Sequence, residues 1–204
     1  MIRTALEFIK KELETYFIER EQDPANYSAG SVVDLQSIMT PDGTLNINTT
    51  SHITMMMVNA EEERREGKRP YYQPTDDKQF YKLNPPVELD ICVLFAAHSS
   101  VYETALRDIS NVAAFFQANP VFDQTRYPAL NAAVNDPVAK PWQLIDRLSF
   151  SLYGLGFEQQ NNMWSMIGSK YMPSLVYKIR MLTVFETRGN EKTPAVTELN
   201  FLEN

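Results

Sequence analysis

Cysteine and histidine are scarce in this chain of 204 residues, which has one cysteine, Cys92, and two histidines, His52 and His98. A lone cysteine cannot form an internal disulfide, so the fold does not depend on an oxidising compartment. Neither histidine belongs to an HExxH or HxH arrangement, and no metal site is expected. No GxSxG, P-loop or GxGxxG motif occurs. The two glycines of the "YGLGF" segment, Gly154 and Gly156, introduce no phosphate-binding signature. The reading is therefore of a protein without cofactor and without assignable catalytic residues.

Positive charge is also in short supply. Nineteen basic against 26 acidic residues give a net charge of −7. Non-specific nucleic-acid binding needs clustered Lys and Arg, so no nucleic-acid partner is expected. Long apolar runs are missing too. No stretch approaches the roughly 20 apolar residues of a membrane span. Arg3, Glu7, Lys10, Lys11 and Glu12 interrupt the opening segment too often for a secretory signal. The expectation is a cytoplasmic protein, or one that leaves the cell without Sec export.

What is present is the patterning of a folded domain, with 44% apolar and 22% charged residues. Ile2, Leu6, Ile9, Leu13, Tyr16 and Phe17 recur at helical spacing, with i, i+4 ion pairs such as Arg3–Glu7 on the other side. Strands are predicted over 31–40, 52–60, around "LSFSLYGL" and over "PSLVYKIRMLTVFE". The clearest strand is "PPVELDICVLFAAH", where alternation buries Val87, Leu89, Ile91, Val93 and Phe95, while the other face begins polar with Glu88 and Asp90. Cys92 lies inside it and reads as a packing residue. Met55, Met56 and Met57 suit an irregular core or an interface. A helix follows, with Ser99 or Ser100 as N-cap, a buried stripe of Leu106, Ile109, Val112 or Ala113 and Phe116, and Pro120 as its stop. The charge run 61–69 reads as a solvated face.

The fold class that results is α+β. One domain spans 1–186, with a mixed or mostly antiparallel sheet covered by two long helices, and a polar tail occupies 187–204. Two proline-rich stretches, 67–86 and 120–141, are long for connections in a compact domain. One or other of them is expected to reach a neighbouring protein.

The segment "GFEQQNNMWSMIG" is the one candidate site. Glu158 precedes four side-chain amides, Gln159, Gln160, Asn161 and Asn162, and Met163 and Trp164 follow. A short helix over 157–167, ending at Gly168 and barred by Pro173, puts Met163, Trp164, Met166 and Ile167 on one side. Gln160 joins that side and Gln159 lies at its margin. A wet polar face explains the amides as well as a contact surface does. A buried unpaired amide, however, costs about 1–3 kcal/mol, so amides beside an apolar face call for partners.

"FEQQNNMWSMIGSKYMPSLVYKIRMLTV" resembles a stretch of the cap, or tube-terminator, proteins of phage-tail-like contractile injection systems of the antifeeding-prophage and virulence-cassette type. "MIRTALEFIKKEL", "VNAEEERR", "PPVELDICVLFAAH" and "YETALRDISNVAAFFQANPVF" extend the resemblance, in order, from Met1 to about Glu186. The resemblance implies a tail-terminator-like fold and a structural rather than catalytic role. It implies a ring, six-fold, of copies of the chain that ends inner-tube growth, contacts the tube and sheath proteins, and becomes part of a particle. Glu158, Gln159, Gln160, Asn161, Asn162 and Trp164 are then candidates for the subunit interface. Another component of the same particle, such as a tube or baseplate protein, and an enzyme built on scattered Glu, Asp and Ser residues stand as the alternatives.

Overall fold

A computed structural model describes residues 2–62, 71–74, 79–83, 87–134, 144–145, 147–183 and 191–194. The first helix, α1 (Ile2–Glu21), buries Leu6, Ile9, Leu13 and Phe17 along one stripe, as the spacing predicts. Arg3 and Glu7 pair at 2.8 Å on its wet side. Strands β1 (Val33–Leu35), β2 (Ile53–Glu62), β5 (Val87–Ala97), β6 (Val121–Asp123), β7 (Arg147–Leu152) and β8 (Ser174–Thr183) form one six-stranded sheet in the order β1-β2-β5-β8-β7-β6. Only β1 and β2 run parallel; every other pair is antiparallel. Parallel neighbours need a crossover. Here the segment after β1 supplies it, and Ile38, Met39 and Ile47 pack against the second sheet face on the way. That turn away from the sheet shortens the strand expected over 31–40.

Three further strands, β3 (Tyr71–Pro74), β4 (Gln79–Leu83) and β9 (Glu191–Pro194), form a second sheet in the order β3-β4-β9. In chain order β3 follows β2, β4 precedes β5 and β9 follows β8, so the small sheet repeats the neighbour order of the central strands β2-β5-β8. It takes in part of the proline-rich stretch 67–86 and four residues of the segment read as a tail. Most of the charge run 61–69 lies outside the described residues.

Helices α1 and α2 (Tyr102–Ala118) cover one face of the large sheet. Side chains from both helices and from β5, β7 and β8 make a single aromatic-rich core. Phe116 stacks on Phe150 at 4.6 Å and lies 4.4 Å from Tyr177, and Phe122 meets Phe8 edge-on at 5.6 Å. The stripe expected on α2 is displaced. Leu106 is exposed, and the buried residues are Ala105, Asp108, Asn111, Val112, Phe115 and Phe116. Two polar residues within the buried set hide its true 3.6-residue period. The N-cap is Val101 rather than a serine, with the Ser99 Oγ accepting the Val101 N–H at 3.2 Å.

The proline-rich stretch 120–141 packs on its own chain as far as it is described. Phe122, Leu130 and Val134 are buried, and a single 3-10 turn at Pro128–Asn131 sits against α1.

Candidate interaction surface

The second face of the large sheet is covered differently. The third helix, α3 (Phe157–Ile167), lies over its upper part with the crossover segment beside it. Trp164 and Ile167 are driven into a small cluster with Cys92, Leu94, Ala96, Val176 and Ile38. The boundaries of α3 follow its sequence. Gln159 Oε1 accepts the Gly156 N–H at 3.0 Å, so one of the amides serves the helix start. Gly168 adopts φ +79° at the C-cap, and its N–H reaches the Trp164 and Ser165 carbonyls at 3.0 and 3.1 Å.

The predicted site residues separate by depth. Trp164 is 4% exposed, and its indole meets Tyr171 edge-on at 5.9 Å. Gln160 is half-buried, while Glu158, Gln159, Asn161 and Asn162 face solvent. The expected apolar side is only partly used. Met163 is half-buried and Met166 is exposed, because α3 presses Trp164 and Ile167 to the sheet and leaves the flank bearing Met166 open. The indole N–H of Trp164 is buried without a partner among the described residues.

Grooves run along α3. One, of about 310 Å³, is lined by Val58, Cys92, Leu155, Met163 and Met166, with Glu61 and Lys178 at its rim. Another, of about 340 Å³, is lined by Phe157, Gln160, Asn161, Trp164 and Tyr171. Leu152, Tyr153, Phe157, Met166 and Tyr171 are all exposed large apolar residues, and Phe157 is 94% exposed. Sequence reading missed Phe157, Tyr153 and Leu152 as surface residues. Their type points to a core, and only the placement of α3 on the sheet turns them outward. Tyr153 and Met166 line the first groove, and Phe157 and Tyr171 the second.

Beyond α3 the same face turns polar. Asp90, 4% exposed, is held by Lys178 Nζ at 2.8 Å and by Arg180 Nε at 3.2 Å. Burial alone would raise its carboxyl, but the two cations outweigh burial and hold it below the usual range. The anticipated polar start of β5 thus holds an ion cluster of Asp90 with Lys178 and Arg180. Cys92 is buried beside it, and burial pushes its thiol up, away from the reactive thiolate. The methionine run splits three ways: Met55 in the main core, Met56 against the small cluster, and Met57 exposed where the register of β2 shifts. No helix among the described residues is long and apolar enough to cross a membrane.

A mixed sheet sealed by helices on one face and half-covered on the other is an α+β architecture. Residues 4–198 match the family described as the Pvc16 N-terminal domain, and the chain belongs to that family. Among solved structures it is similar to the tube-terminating cap of the anti-feeding prophage, with a TM-score of 0.56 at 14% identity, over 98% of this chain and 60% of that one. It is likewise similar to the sheath/tube terminator of the PVC extracellular contractile injection system in its extended state, with a TM-score of 0.54 at 12% identity, over 95% of this chain and 62% of that one. The chain thus spans about three-fifths of the length of these relatives. No curated protein sequence matches it.

Proposed function

We propose that this chain is the tube-terminating domain of a contractile injection system. Copies close into a ring, six-fold as in the family reading above, that ends the inner tube and ties it to the sheath. The observation that carries this reading is the family match over 4–198, joined to a fold shared along nearly the whole chain with two terminator caps. The role is mechanical rather than catalytic, and its partners are other copies of the chain, the tube protein and the sheath protein. The body is taken as residues 1–186, and of the segment 187–204 the strand β9 joins it by pairing with β4.

In this reading the α3 surface is the subunit contact, with Glu158, Gln159, Gln160, Asn161, Asn162 and Trp164 at or beside it. Exposed amides next to exposed Phe157 and Met166 support it, since hydrogen bonds from neutral groups set register without the cost of burying ions. A ring closes by repeating one heterologous contact, so a second, different face of the subunit must receive this one.

Deleting the gene should leave particles with uncapped tubes of variable length, and supplying it in trans should restore a defined blunt end. Length distributions from negative-stain images test this. Uniform capped particles without the protein would refute it. Changing Gln159 and Gln160 together to alanine should impair capping while leaving the monomer folded. Normal capping by that variant would mean that the amides are merely solvated.

A further inference from the structure

Asp108 is fully buried in α2. Tyr27, in the segment between α1 and β1, donates its hydroxyl to Asp108 Oδ1 at 2.7 Å, and His52 Nδ1 lies 2.9 Å from Asp108 Oδ2. The other ring nitrogen, His52 Nε2, is 3.0 Å from the Asn26 carbonyl oxygen. A carbonyl oxygen only accepts, so Nε2 must carry a proton. Arg107 donates to the Tyr27 oxygen at 2.7 Å, which directs the tyrosine's own proton to Asp108 Oδ1. A carboxylate oxygen only accepts, so against the Asp108 carboxylate Nδ1 also carries a proton. Both nitrogens protonated means an imidazolium. Its ring stacks on Tyr27 with centroids 4.3 Å apart.

The segment so held is bounded by two left-handed residues, Gln22 at φ +51° and Gly30 at φ +82°. For a glutamine that conformation is unfavourable unless its surroundings hold it in place. Besides the His52 bridge, the Tyr27 hydroxyl and the Arg107 guanidinium fasten the segment to α2, and the buried Tyr27 ring stacks on Phe17 of α1 at 6.0 Å. The His52 bridge is what holds the Asn26 end of the segment.

We propose that His52 is a protonation-operated latch, closed as imidazolium and open as the neutral ring, which holds the segment between α1 and β1 against α2. The neutral ring has one N–H for two acceptors, so either Asn26 or Asp108 then faces a nitrogen lone pair. The charged and titratable groups around it are Asp108 and Arg107 from α2, Tyr27 from the latched segment, Glu21 from the end of α1 and His98 after β5. Glu21 acts through Arg107, 3.5 Å away. The His98 N–H donates to the His52 carbonyl at 3.2 Å, and Asp34 in β1 acts on His98 in turn. The hydrogen bond to Asp108 leads the causes that raise the His52 titration above its ordinary 6.5, against opposition from burial and Arg107. His98 is lowered, chiefly by burial. A raised folded value means that the latch contributes fully below the unfolded value, and that its contribution is lost as pH rises through the raised one.

With two histidines in the chain, NMR titration of the full protein reads each separately, and His98→Gln assigns them. The expected result is a His52 midpoint above 6.5 and a His98 midpoint below it. The Asn26 and Tyr27 amides, which both bond to the Asp23 carbonyl, should lose protection from exchange once pH passes the His52 midpoint. The amides of α1 should keep theirs. Asp108→Asn should move the His52 midpoint down. If that variant does not fold, the wild-type titration and exchange decide the matter alone. A His52 that is neutral at pH 6.5, or unchanged exchange at Asn26 and Tyr27 across its midpoint, overturns the latch.

Discussion

The two faces of the large sheet are made from the same strands and end differently. Along β5, Ile91, Val93 and Phe95 point into the core under α1 and α2, while Cys92, Leu94 and Ala96 point into the small cluster under α3. Alternation along one strand thus feeds two layers at once, as a period of two requires. The first face is sealed by two long helices and an aromatic network. Among the described residues the second is sealed where Trp164, Ile167 and the crossover residue Ile38 press down, and past them it opens into a groove and an ion cluster. Stability resides on the closed face. The open one leaves Phe157, Met166 and Tyr171 exposed.

The sharpest way to break that contrast is to remove a ring from each face. Phe122 is fully buried and touches the rings of Phe8, Phe115, Tyr127 and Phe150. Phe122→Ala should destabilise the domain by about 3–5 kcal/mol, the usual cost of an aromatic deletion in a core that cannot collapse. Trp164→Ala should cost less, near the lower end of about 3 kcal/mol, because α3 can settle and water can enter its open flank. Urea unfolding of the two variants checks the order. Equal losses would mean that the second face is as closed as the first.

A smaller effect is expected from the ion cluster. Lys178 and Arg180 are partly solvated, so Asp90→Asn should cost about 1 kcal/mol at neutral pH. Asp90 has a depressed folded value, so its stabilisation is present above the ordinary 3.8 and is lost as pH falls through the depressed one. Acid unfolding curves of wild type and variant should therefore differ above that window and converge below it. A constant gap at every pH would assign the loss to packing instead.

Helix α1, strand β5 and helix α3 were legible because each carries an unbroken period and a local stop signal. Gly168 and Pro173 fix the end of α3 without help from the rest of the chain. Helix α2 was legible as a helix, but its buried side was not. Asp108 and Asn111 are buried only because Tyr27, His52 and Glu21 come from other segments to meet them. The parallel pairing of β1 with β2, and the shortening of β1 to three residues, depend on a crossover that the local pattern does not encode. The candidate surface was half legible. The amides and Trp164 lie on α3 as expected, but the groove draws Val58, Cys92, Leu155 and Lys178 from four separate stretches.

The smallest effect on stability should come from Phe157, and there the contrast between the faces becomes a test of function. Its side chain is 94% exposed at the start of α3 and lines the amide-bearing groove. Burying nothing in the monomer, it should be replaceable by serine with a change in unfolding free energy within about 0.5 kcal/mol. Apolar surface is costly to leave in water, and covering a full Phe side chain gains about 1.5–3 kcal/mol. A partner that covers Phe157 would thus lose most of that on Phe157→Ser, a ten- to hundred-fold weakening at about 1.4 kcal/mol per decade. The same residue should be nearly silent in urea and clearly visible in assembly. Phe122→Ala, compared at equal folded concentration, should show the reverse. Thermal melts paired with counts of capped particle ends separate the two quantities. If Phe157→Ser caps as well as wild type, the exposed ring is not part of the contact, and the subunit interface lies away from this flank of α3.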